Sequence, residues 1–463
     1  MNDSKQKQPE VKLDFRKVLP VFIIVLVDLL GLTVIIPLLP LYATAFGANA
    51  FTIGLLGASY PLLQFIGAPL LGRLSDRYGR KPILLISQAG TLAGFLVLGW
   101  ASALPLLFLA RIIDGISGAN ISTAQAVISD ITTKETRTQG LGLLGAAFGI
   151  GFIVGPVIAF ISLIASGNNY HVPAFVAAGF SAASILLTWF TLEETLPHGE
   201  SQPSDPMDES GFTVRAMVKA LARPAVGTLL MLMFAQQIAF GGFEQLLALF
   251  TLNRLGMNAS SNAVVFVFVG VIVVAVQGKF IGPWSRRFGD RRLVQAGLAT
   301  LALGLTLTAL TPESPVPWYS KSGLKQELAA SGDVQAQASA GSAVVSIQLP
   351  DEAQRGALGL AWILVAMIPA SIGGGLLQPS INSLITQHGS AAETGALLGL
   401  SASFMSAANA LAPALGGAVF ERLGASAPFL LFGLIMAALF VWALKGVPSV
   451  ASDTPEPSQS AAD

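Results

Sequence analysis
The chain has 463 residues, 53% of them hydrophobic and only 11% charged, with 26 Lys and Arg against 26 Asp and Glu. Soluble domains carry about 25% charged residues, so this composition argues against a water-soluble enzyme, and the zero net charge gives no footprint for nucleic acid. Cysteine is absent and the histidines are His171, His198 and His388, so no disulfide framework, thiolate nucleophile or metal cluster is expected.

A membrane-spanning helix needs about 20 largely apolar residues. Twelve runs meet that length, near 19–41, 53–72, 82–101, 104–129, 139–163, 173–192, 225–250, 262–282, 293–311, 357–385, 395–420 and 427–446. They are too long for barrel strands and lack a period of two, so the expected fold is all-α. The first run contains Asp28 and is too long for the apolar stretch of a signal peptide. With a cytoplasmic N-terminus, 20 of the 26 basic residues fall on the cytoplasmic side, which puts both termini there in a multi-pass protein of the cell membrane.

In chain order, span 1 reads LVDLLGLTVIIPLLPLY, with Asp28, Gly31, Pro37 and Pro40. Span 2 carries Gln64 and leads into GRLSDRYGRKP at 72–82. There Gly72 and Gly79 would let a loop turn tightly against its neighbours. Asp76 can face a helix N-terminus, worth about 0.3–1 kcal/mol, and Arg80 can pair with Asp130. With Arg77 and Arg137 these residues form a candidate latch between halves. On span 4, at 100° per residue, Arg111, Asp114, Gly118, Ser122, Gln125 and Ser129 share one arc, a polar stripe along the helix. Span 5 reads GIGFIVGP. Gly149, Gly151 and Gly155 allow close helix approach and Pro156 bends the helix, so this is a candidate hinge.

Past a polar linker, span 7 carries Gln237 and Glu244 on one face. Residues 282–292 read GPWSRRFGDRR and repeat the 72–82 segment at an offset of 210, with charges inverted at Arg286 and Asp290. Later the offset becomes 257, and span 10 shows a second polar stripe at Ser371, Gly375, Gln378, Asn382 and Thr386. The chain is therefore a duplicated six-span unit. The expected divisions are a tail at 1–17, a bundle at 18–193, a cytoplasmic linker at 194–224, a bundle at 225–447 and a disordered tail at 448–463. The linker is expected to end in a surface helix at 211–222. A long extracytoplasmic loop at 312–354 is expected to be partly disordered, with a strand at 343–349.

The 72–82 segment closely resembles the signature loop of the major facilitator superfamily. Span 1, ARIIDGISGAN in span 4 and GPV in span 5 resemble its tetracycline-efflux-like drug:proton antiporters. That resemblance implies twelve helices in two pseudo-symmetric bundles. It also implies that Asp76 meets the start of span 11 near Thr394, and that span 5 marks an antiporter. Tetracycline exporters of this branch carry an acid in mid-span 3, where this sequence has Gly94, and lack one at the position of Asp114.

A charged side chain at a helix centre costs about 2.5–3.5 kcal/mol on the insertion scale, so Asp28, Arg111, Asp114 and Glu244 are functional candidates by default. Asp28 or Asp114 is expected to bind a coupling proton, with Arg111 tuning Asp114, while Glu244 could couple protons or hold a cationic substrate. Gln64, Ser122, Gln125, Gln237, Ser371, Gln378 and Asn382 would line the substrate cavity. The reading is a proton-coupled exporter of a small amphipathic compound, acting as a monomer in the bilayer with no cofactor beyond protons. A metabolite symporter or uniporter of the same fold and a non-transporting membrane receptor remain alternatives.

Overall fold
A computed structural model describes residues 15–118, 120–133, 136–195, 220–331, 348–388 and 394–446. Among the described residues twelve helical segments are long and apolar enough to cross a membrane, the fourth extending from Leu104 to Ile131 through Gly118. The first six-helix bundle contains α1 (Phe15–Ile35), α2 (Leu39–Ala45), α3 (Ala50–Tyr78), α4 (Arg80–Gly99), α5 (Leu104–Ser117), α6 (Asn120–Ile131), α7 (Arg137–Ala165) and α8 (His171–Thr191). The second contains α9 (Pro224–Leu255), α10 (Ala259–Ala275), α11 (Ile281–Phe288), α12 (Asp290–Ala309), α13 (Lys321–Ser331), α14 (Leu358–Gln387), α15 (Thr394–Leu423) and α16 (Ala427–Gly446). A π-helical turn, Val276–Phe280, joins α10 to α11 within the eighth span. Twelve crossings bring the start of α1 and the end of α16 to one face, the terminal face. The opposite face, which carries α13, is the loop face.

Proline and glycine explain the departures from unbroken spans. Pro37 cannot supply a helical N–H, so span 1 stops at Ile35 and resumes as α2 with Pro40 in its first turn. Span 2 runs on to Tyr78, so Gly72 is helical, and a Cβ there would meet nothing within 4 Å. The tight turn expected at Gly72 is therefore absent, and Gly79 alone turns the chain, at φ +100°. Its repeat partner Gly289 does the same at φ +78°, a region open to glycine without steric cost.

Within the second bundle α12 packs between α14 and α16. Glycines set the spacing, since a Cβ on Gly304 would lie 2.3 Å from the Ala370 nitrogen and one on Gly373 would lie 2.6 Å from that of Leu301. The bundles meet along α3 against α15 and α7 against α10. At the loop face that meeting is tight. The Ala50 N–H donates to Glu421 Oε2 at 3.0 Å, and a Cβ on Gly54 would lie 2.3 Å from the Pro413 carbonyl oxygen.

Residues 1–14, 196–219 and 447–463 lie outside the described residues, as do most of the expected surface helix at 211–222 and of the expected strand at 343–349. Within the 312–354 segment, expected to be partly disordered, residues Lys321–Ser331 form α13. Leu324 and Leu328, one turn apart, are buried. Glu327 accepts from Tyr170 Oη of the first half at 2.9 Å and from Asn258 Nδ2 of the second at 3.0 Å. The helix thus straps the two halves together across the loop face.

Burial holds the Glu327 carboxyl above its ordinary value against the lowering effect of its Asn258 and Tyr170 hydrogen bonds. Burial, reinforced by Glu327, also pushes the Tyr170 phenol well above 10, so Tyr170 remains a donor. Undocking returns Glu327 to water and to its ordinary value. Proton uptake therefore accompanies docking. The strap is most firmly docked below the ordinary carboxylate value and loosens as pH rises through the raised one. Hydrogen exchange at 321–331, corrected for intrinsic rate, should show protection falling with rising pH, and Glu327→Gln should flatten that dependence. An unchanged profile in the variant would remove Glu327 as the cause.

Candidate functional site
Span 4 was expected to be one helix with a continuous polar stripe. It breaks instead at Gly118, between α5 and α6. The break frees backbone carbonyls at membrane depth, which is tolerated only where other groups satisfy them. Gln64 Nε2 donates to the Gly118 carbonyl at 2.8 Å, and Ser87 Oγ donates to that of Ser117. Gln64 also donates to Tyr60 Oη at 3.0 Å. It was expected to line the substrate cavity; its bond to Gly118 braces the interrupted helix, and its bond to Tyr60 lies within α3.

The break brings four polar side chains together. Asn120, in the first turn of α6, donates from Nδ2 to Asp28 Oδ2 at 2.8 Å. The other Asp28 oxygen, Oδ1, is buried without a hydrogen-bond partner, as is Asn120 Oδ1. On α5, Arg111 Nη1 pairs with Asp114 Oδ2 at 2.9 Å, both side chains being buried. The Arg111 guanidinium lies 4.4 Å from the Tyr60 ring centroid, a cation–π geometry. Asp28, Tyr60, Thr91, Asp114, Gly118 and Asn120 are among the residues lining a cavity of about 10 Å³, room for about one water molecule. The centre is too small for an organic substrate.

Gly94 explains where Asp114 fits. A Cβ on Gly94 would lie 2.9 Å from Asp114 Cβ and 3.0 Å from the Ala110 carbonyl oxygen. The space that a side chain on span 3 would take is thus filled by the acid of span 4.

Beyond the break, Gln125 is exposed and Ser122 half-exposed, while Asn120 and Thr123 turn inward. The stripe therefore divides: Asp114 and Gly118 line the one-water centre, whereas Ser122 and Gln125 beyond the break stay accessible. Asn120, Tyr60 and Thr91 belong to the centre and were not singled out from the sequence. The spacing of Tyr60 and Gln64, four residues apart on one helix face, was the available signal.

At the terminal face Arg80 pairs with Asp130 at 3.0 Å and with Asp76, whose side chain is 63% exposed. Arg77 lies over the ring of Tyr78. The Arg137 side chain and the first turn of α15, where Asp76 was expected to dock, fall outside the described side chains. Glu194, just past span 6, accepts from the N–H groups of Arg80 and Lys81 and so caps α4. In the second half Asp290, the counterpart of Arg80, accepts from Ser383 Oγ and Gln387 Nε2 of α14. Gln387 stands at the repeat position of Asp130, so the contact persists with altered charge.

The expected span-5 hinge is divided between two partners. Gly155 faces its own half, with a Cβ there only 2.1 Å from Thr33 Oγ1, and Gly151 makes ordinary contact with Leu29 and Thr33. Gly149 touches Val274 across the seam, and the close approach is made by Gly270, whose Cβ would lie 2.7 Å from the Phe152 carbonyl oxygen. Pro156 sits within an unbroken α7.

In the second half Gln237 Nε2 donates to Asn409 Oδ1 at 2.8 Å, and Ser401 Oγ to Asn382 Oδ1 at 2.6 Å. Ser371 is buried with its hydroxyl unpartnered, and Gln378 and Glu244 are half-buried. Among the described residues no group of three or more His, Cys, Asp or Glu is placed to hold a metal ion.

The sequence matches the family profile described as Major Facilitator Superfamily over residues 21–324 and 338–462. It is 32% identical over 311 residues to the class E tetracycline resistance protein of Escherichia coli, across 65% of this chain and 74% of that one. To the class D tetracycline resistance protein of Salmonella ordonez it is 27% identical over 425 residues, across 90% and 94% of the two chains. The crystal structure of the human organic anion transporter MFSD10 matches with a TM-score of 0.59 over 94% of this chain and 100% of that one, and at 22% identity the likeness is one of fold.

Proposed function
Because the chain belongs to the major facilitator superfamily, and is therefore a membrane-embedded, non-catalytic secondary transporter that moves a small molecule by alternating access, we propose that it exports an amphipathic compound in exchange for protons, with Asp28 carrying the exchanged proton. The observation that carries this reading is the buried, unpartnered Asp28 Oδ1 beside a one-water cavity. A buried carboxylate with a bare oxygen is costly unless something neutralises it. Asp114 already has the Arg111 guanidinium, whereas Asp28 has only the neutral Asn120 amide. A proton on Asp28 would remove the uncompensated charge while the halves are closed around it.

The relatives support efflux as the direction, since class E and class D are tetracycline resistance proteins. The basic residues of the terminal face support placing that face in the cytoplasm. On that orientation the tight contacts at Gly54 and the α13 strap belong to a conformation closed to the outside. The test uses inverted membrane vesicles and a panel of fluorescent amphipathic compounds. Acidifying the lumen should drive uptake of a panel member only in vesicles containing the protein, and a protonophore should discharge it. Uptake that ignores the protonophore would rule out proton exchange.

A further inference from the structure
We infer that the second half holds its own organic-cation site, with the Glu244 carboxylate as the counter-charge and the Phe240 ring as the apolar wall. This rests on the transport reading above and specifies the chemistry of the substrate.

Glu244 lies mid-way along α9, half-buried, and among the described residues it has no hydrogen-bond or ion-pair partner. Phe240 stands one turn before it on the same side of the helix. That ring lies against α14, where a Cβ on Gly374 would meet Phe240 at 2.3 Å. The contact sets the α14 face bearing Ser371 and Gln378 beside the Glu244 side of α9. Ser371 Oγ is fully buried and has no partner. On the flank towards α15, Gln237 is already bound to Asn409.

The arrangement has a carboxylate, an aromatic face and spare hydrogen-bonding capacity, and it lacks a positive charge. Arg111, the basic residue inside the first bundle, is paired with Asp114. An ionised acid at membrane depth requires a counter-charge, and one arriving on an organic substrate would be held by the carboxylate and by the ring face together. Neutral compounds gain nothing from the carboxylate, so the site selects for positive charge.

Tetraphenylphosphonium, a permanent cation that cannot exchange a proton, is the probe. Its binding to purified full-length protein in detergent should weaken about tenfold or more in Glu244→Gln, while Glu244→Asp, which keeps the charge, should retain most of it. Thermal unfolding of all three proteins separates lost binding from lost folding. Equal binding by wild type and Glu244→Gln, or no binding by a folded wild type, overturns the cation site. Neither result bears on Asp28, because proton-driven uptake of neutral compounds would persist if the cation site alone is wrong.

Discussion

Replacing Asp28 with Asn should reduce proton-driven uptake into inverted vesicles to the level of vesicles lacking the protein. A membrane potential is worth about 2.3 kcal/mol per charge per 100 mV, which sustains roughly a 50-fold gradient for a neutral compound exchanged with one proton. Removing the titrating group removes that coupling, so the accumulation ratio should fall towards one. Energy-independent counterflow should survive, because Asn retains a carbonyl oxygen to accept from Asn120 Nδ2, as Asp28 Oδ2 does at 2.8 Å. Asp114→Asn should behave differently. It strands the buried Arg111 guanidinium, whose partner at 2.9 Å is Asp114, and removing one member of a buried pair typically costs about 3–5 kcal/mol. That variant should lower the melting temperature as well as transport, and equal melting of the two variants would contradict the distinct roles given to the two acids.

The second large effect is expected at Gly54. Its Cβ position lies 2.3 Å from the Pro413 carbonyl oxygen in the opposite half, and backbone cannot yield as a flexible side chain can. Gly54→Val should therefore hold the loop face open. Overpacking costs about 1–3 kcal/mol, a factor of about 5 to 150 in the ratio of closed to open forms, and a carrier held in one form stops cycling. The natural chain has no cysteine, so one introduced thiol reports without background. A Cys replacing Gln245, whose Oε1 lies 3.3 Å from a Cβ on Gly57 across the seam, should react faster with an impermeant maleimide in the Gly54→Val background. Gly179→Ala, at a position with nothing within 4 Å, should leave the labelling rate unchanged. Unchanged labelling in Gly54→Val would show that the seam does not close by this contact.

The twelve spans were legible because twenty apolar residues in a row have few other stable fates. The Gly79 and Gly289 turns were legible from the repeat. Gly72, inside the same motif, was misread because sequence alone does not show where a helix ends. The break at Gly118 was hidden for a related reason, since a single glycine within a helical pattern is usually tolerated. What makes the break viable is the pair of side chains taking the freed carbonyls, and Ser87 and Gln64 lie 30 and 54 residues away in the chain. Asn120 was missed with it, because its place beside Asp28 exists only once the helix is broken. The two acids and Arg111 were readable as costly charges in apolar runs, and Arg111 beside Asp114 was readable from their spacing of three on one helix, whereas the Asn120 contact that leaves Asp28 without a cation is tertiary. The α13 strap left a faint trace in Leu324 and Leu328, and the polar contacts of Glu327 come from the two halves it joins.

The central claim is that Asp28 carries the proton exchanged for substrate, and proton release from purified protein in weakly buffered detergent tests it most directly. Adding a compound that binds should release protons from the wild type and from Glu244→Gln at concentrations that restore binding, and none from Asp28→Asn, although that variant still binds. Binding without release in the wild type, or undiminished release from Asp28→Asn, would contradict the account.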